Sequence, residues 1–170
     1  MTSDSLITIK YQPANFSETS NEYKQLLKLF DSLGFFTDIL ITVWRAYENF
    51  EEETEYLQNY VKKYSFFENA DNMASLFIEN FSGNTALEQL IFSQDLAAEW
   101  TYVPNAQTML RQIDLRKTRH IAIQDLLHKG IVPFFAQFDL ETEIALYMSA
   151  NFYRQYNAEI KEWLNNLRQT

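Results

Sequence analysis

The stretch Ile123–Met148, IQDLLHKGIVPFFAQFDLETEIALYM, decides how this chain is read. It holds one of the three glycines and one of the three prolines in 170 residues. Read at helical spacing, Ile123 and Leu127 end a helix that Gly130 closes in the left-handed conformation. Pro133 stops that helix from resuming early. Phe134, Phe135 and Phe138 then pack a corner. Asp139 caps a last helix, with Glu141 and Glu143 in the first turn, where the helix dipole favours negative charge. Leu140, Ile144, Tyr147, Met148, Phe152, Ile160, Trp163, Leu164 and Leu167 continue as its apolar stripe.

The same reading extends outward. Upstream of Gly130, Met109, Ile113, His120, Ile123 and Leu127 trace the inner face of a long helix from about 105 to 129. WTYVPN, 100–105, reads as a loop, because Pro104 disfavours helix at Val103. Helices are also expected at about 20–33, with Gly34 supplying the stop, from Thr37 or Asp38, after Glu51–Glu53, at roughly 70–81, and from Asn84 or Thr85. Thr19 with Glu22 and Thr85 with Glu88 have capping-box spacing. Ile39, Leu40, Val43, Trp44, Tyr47 and Phe50 recur at three and four. LITIKY, 6–11, alternates with period two and belongs to an extended arm, ended by Pro13. The expectation is an all-α, single-domain bundle of six to seven helices over residues 19–170, with a short extended N-terminal arm over 1–18.

Composition agrees with a packed domain. Hydrophobic residues make up 46% and aromatics 16%, too much for a disordered chain. There is no cysteine, which removes disulfides and thiol chemistry. The most apolar window, LGFFTDILITVW, is too short to span a bilayer, which needs about 20 residues. No signal peptide is read at the N-terminus, so a cytoplasmic location is expected. The net charge of −9 is uneven. Residues 1–100 hold 16 Asp/Glu against 6 Lys/Arg, whereas residues 101–170 hold 7 against 8. The first part should repel nucleic acid.

Catalytic and metal chemistry find no foothold in the pattern. The two histidines, His120 and His128, lie eight residues apart with no carboxylate at a ligand spacing from both, so no metal and no cofactor is expected. No phosphate loop, dinucleotide fingerprint or Gly-x-Ser-x-Gly elbow is present, and no enzyme is expected. Trp44, Tyr47, Trp100, Tyr102 and His120 read either as core residues or as the walls of an apolar pocket with few polar groups. LRKTRH, 115–120, is a short basic cluster suited to pairing with the acidic first half.

LLHKG followed by FDLETEIAL resembles the effector half of TetR-type transcriptional regulators. NTALEQLIFSQD, 84–95, is similar to the segment before that family's central helices. LFDSLGF, 29–35, is similar to the end of its first DNA-binding-domain helix, and YLQNYVKK, 56–63, to the segment after its recognition helix. Where the recognition helix should stand, VWRAYENFEEETE offers carboxylates that phosphate would repel. The resemblance therefore implies a regulatory effector-binding and dimerisation protein without its own DNA-binding activity. It implies a small apolar or aromatic ligand, and a homodimer whose interface includes Tyr147, Trp163, Leu164 and Leu167. The alternative expectation is an acidic helical protein-binding module, an inhibitor, immunity or adaptor protein. Its contact patch for a basic partner would be Glu51, Glu52, Glu53 and Glu55.

Overall fold

A computed structural model describes residues 5–12, 16–44, 57, 59–66, 73–93, 100–112, 123–139 and 143–169. The centre of the molecule is a sheet, so the expected all-α bundle, shaped like a TetR effector domain, is corrected. Strands β1 (Leu6–Tyr11), β2 (Ile39–Trp44), β3 (Val61–Phe66), β4 (Met73–Ile78), β5 (Trp100–Pro104), β6 (Phe134–Asp139) and β7 (Glu143–Ser149) pair in the order β1-β7-β6-β5-β2-β4-β3. Every described pairing is antiparallel. The helices are α1 (Phe16–Ser32), α2 (Thr85–Ser93), α3 (Ala106–Gln112), α4 (Ile123–His128) and α5 (Ala150–Gln169), with a 3₁₀ turn at Phe81–Gly83 before α2.

The deciding stretch turns twice rather than once. Gly130 does close a helix, at φ +68°, but that helix is the short α4. The chain then forms a hairpin, paired from Phe134 against Met148 to Asp139 against Glu143. Asp139 ends a strand instead of capping a helix. The last helix begins at Ala150, where the Ser149 hydroxyl oxygen accepts a hydrogen bond from the Phe152 amide at 3.1 Å.

Helical spacing misled here because both faces of the sheet are covered. Strands buried on both sides lose the apolar–polar alternation that marks a half-exposed strand. Ile144, Leu146 and Met148 face one core, while Tyr147 faces the other, so the run satisfies both periods. ILITVW in β2 behaves the same way. Ile39 and Ile41 enter the first core and Leu40 the second. Its β-branched residues favour the strand.

On the first face, α1, α2 and α5 pack over β2, β4, β5, β6 and β7. Phe134, fully buried, is the hub. Its ring lies 4.2 Å from Phe30 of α1 and 4.9 Å from Phe152 of α5, and meets Phe35 and Phe36 edge-on. On the second face, Ala106 and Met109 of α3 and Leu126 and Leu127 of α4 cover Leu40, Phe77, Val103 and Phe135. The result is a three-layer arrangement, helices on both faces of one antiparallel sheet.

LITIKY forms β1, an edge strand held on β7, and Thr19 lies within α1 rather than at its cap. WTYVPN is the strand β5 through Pro104, not a loop. Gly34, at φ +80°, ends the α1 segment as its position suggested. The helices expected from Asp38 and over 70–81 are replaced by β2, β4 and the 3₁₀ turn. No helix among the described residues is long and apolar enough to cross a membrane.

Candidate functional site

The loop between α1 and β2 ties one corner of the molecule together. The Phe35 carbonyl accepts from the Asn105 amide at 3.1 Å, and that of Phe36 from Ser82 at 3.0 Å. The Thr37 carbonyl accepts from Phe81 at 2.7 Å, and that of Asp38 from Ala106 at 3.2 Å. The Asp38 side chain adds a fifth acceptor, taking the Asn80 amide at 3.0 Å. The chain leaves both neighbours of β2, β4 and β5, through a left-handed asparagine: Asn80 at φ 53° and Asn105 at φ 48°. Asparagine tolerates that conformation better than most L-residues. These turns aim successive amides of both exits at the same loop.

Four carboxylates from separate elements meet this corner: Asp31 at the end of α1, Asp38 before β2, Glu79 after β4, and Glu88 in the first turn of α2. Ser82 donates its hydroxyl to Asp31. Asn84 caps α2, its side-chain oxygen accepting from the Leu87 amide at 3.1 Å. Glu88 packs against Asp31 with its Oε1 buried and unpartnered. Burial holds the Glu88 carboxyl above its ordinary pKa, and the Asp31 charge and a hydrogen bond to Asp31 push the same way. None of the four carboxylates forms an ion pair with another described residue; Lys10 pairs with Glu143 elsewhere, at 2.5 Å. No group of three or more His, Cys, Asp or Glu among those residues is arranged to hold a metal ion. The corner gathers negative charge that no ion pair among the described residues neutralises.

Beside it opens a mainly polar cleft of about 670 Å³, walled by Asn59, Tyr60, Glu79, Asn80, Asn84 and Thr85. Glu79 belongs to both features. Amide and carboxylate oxygens here suit a donor-rich group, such as an ammonium or guanidinium.

The described residues among those singled out from sequence fall elsewhere. Tyr102 is fully buried in the first core, between β2 and β6. Trp44 and Trp100 lie in the paired strands β2 and β5, with Trp100 opposite Val43. Tyr47, His120 and the patch Glu51, Glu52, Glu53 and Glu55 lie outside the described residues. Trp163 and Leu167 are buried in the chain's own first core, at 6% and 4% exposure, and Leu164 packs against it half-buried. Tyr147 is half-buried on the opposite face, stacked on Phe135 at 4.6 Å. The sequence reading missed Asp31, Asp38, Glu79 and Glu88 as a group. The one local signal was that Asp31, Asp38 and Glu79 each end or begin an apolar segment beside Ser, Thr or Asn. Scans against protein-family models, curated proteins and solved structures gave no match.

Proposed function

We propose that this chain is an acidic protein-binding module that meets a basic partner through the corner built from Asp31, Asp38, Glu79 and Glu88. The observation that carries the reading is the convergence of four carboxylates with no ion pair among the described residues. Uncompensated charge of one sign raises the on-rate and the selectivity for a partner of the other. The acidic excess of residues 1–100 extends the same field. The adjoining cleft is open and polar, which favours a protein side chain over an enclosed apolar effector.

The test is capture with the tagged full chain, followed by titration calorimetry of the recovered partner at low and moderate salt. The expected partner is basic, and its affinity falls as the Debye length shrinks below about 10 Å. Glu79→Lys, which reverses charge at the cleft rim, should weaken binding about tenfold or more while leaving the fold intact. A neutral or acidic partner, or binding insensitive to both salt and Glu79→Lys, overturns the proposal.

A further inference from the structure

The two edges of the sheet are built differently. Edge strands present unpaired amides and carbonyls, and proteins guard them with lysines, prolines or bulges. The β3 edge has an irregular register between Val61 and Lys63. The β1 edge carries no proline and keeps regular register over all six residues. Its single charge, Lys10, is bound back to Glu143.

The direction of the free groups is set by the ladder. The Ala150 amide donates to the Ser5 carbonyl at 3.2 Å, and this pair continues the β1–β7 register by one step. Hydrogen-bonded pairs alternate along an antiparallel ladder. Ser5, Ile7, Ile9 and Tyr11 therefore turn their backbone groups toward β7. Leu6, Thr8 and Lys10 turn theirs to the open side.

We infer that β1 pairs antiparallel with β1 of a second copy of this chain, about a two-fold axis at Thr8, joining two seven-stranded sheets into one. That register sets Thr8 opposite Thr8 and Leu6 opposite Lys10, so all three outward residues of each copy enter hydrogen-bonded pairs. It sets Ile7 opposite Ile9 on the first face, a β-branched cross-strand pair. The two Lys10 side chains sit four residues apart along the strand, about 13 Å, so like charges do not oppose. The strand is complementary to itself, as an isologous interface requires. The edge needs neither the acidic corner nor its partner.

The ladder also supplies the test. Thr8→Pro deletes an outward N–H and leaves the β7 ladder whole, an edge position where proline is tolerated. Ile9→Pro deletes a bond to β7. Sedimentation and native mass spectrometry of the full chain, up to about 100 µM, should show a concentration-dependent species of twice the 20.2 kDa chain mass. Thr8→Pro should weaken that dimer at least about tenfold with an unchanged circular dichroism spectrum. Thr8→Lys, which places two ammonium groups face to face on the axis, should do the same if the proline variant folds poorly. Hydrogen exchange at the Thr8 amide should slow as dimer forms. A wild-type chain that stays monomeric at about 100 µM, or a dimer that survives both folded variants, overturns the inference.

Discussion

Glu88→Gln separates shape from charge at the acidic corner. The Glu88 carboxyl is held above its ordinary pKa by burial first, and then by the charge of Asp31 and a hydrogen bond to it. An acid whose pKa rises on folding binds its proton more tightly in the native chain than in the unfolded one. Its contribution to stability is full below the unfolded value of about 4.3 and declines as pH climbs through the folded value. Glutamine fills the same space and does not titrate. At pH 7 it removes the repulsion by Asp31 and the cost of a half-buried carboxylate, which solvent screening limits to about 1 kcal/mol. The exchange also forfeits the attraction of the α2 N-terminus for negative charge, about 0.3–1 kcal/mol. The net is a gain of about 0.5 kcal/mol. With a urea slope of about 2 kcal/mol/M, the midpoint at pH 7 rises by about 0.25 M. Urea titrations monitored by tryptophan fluorescence from pH 4 to 8 should show the gap closing as the pH falls and wild-type Glu88 takes up its proton. A variant less stable than wild type at pH 7, or a gain independent of pH, refutes the assignment of repulsion at this pair.

Three further variants probe the frame around the site. Phe134→Ala empties the hub shared by Phe30, Phe35, Phe36 and Phe152, and should cost about 3–5 kcal/mol in chemical denaturation. Ser149→Ala removes the cap of α5 and should cost about 1 kcal/mol in the same assay. Gly130→Ala meets no atom within 4 Å, so only the backbone at φ +68° resists it; a loss of about 1 kcal/mol is expected, and no loss would mean the turn relaxes to negative φ.

What sequence could yield depended on how many faces each element buries. α1 was legible because Leu26, Leu27 and Phe30 lie on one buried face, with exposed Gln25 before them and exposed Lys28 among them. LITIKY was legible because β1 is an edge strand whose exposed Thr8 and Lys10 alternate with Ile7 and Ile9. The inner strands gave no such contrast. In β6, Phe134 and Phe135 are both buried, one in each core, so period two vanishes and the apolar run fits a helix as well. Gly34 and Gly130 were read correctly as positive-φ stops, but a stop is equally compatible with a strand or a helix after it. The acidic corner was not legible because its members lie up to 57 positions apart, from Asp31 to Glu88. The contacts that gather them, such as the Asn80 amide on Asp38, are set by the register of β2 on β4.

Edge and corner stand at opposite ends of the sheet order, and that spacing has a consequence. β1 is one border strand, while Glu79 comes directly after β4, the sixth strand across. At about 4.8 Å per strand the two lie roughly 24 Å apart, so pairing through β1 would leave both acidic corners of a dimer free. A multivalent basic partner could then engage two corners at once, and the second contact would form at an effective concentration set by the rigid joined sheet. A monovalent fragment of that partner would gain nothing from the pairing. Thr8→Pro should therefore weaken binding of the multivalent form and leave the monovalent form unchanged, whereas Glu79→Lys should weaken both. An equal loss for both forms in Thr8→Pro would place the edge strand in the contact itself.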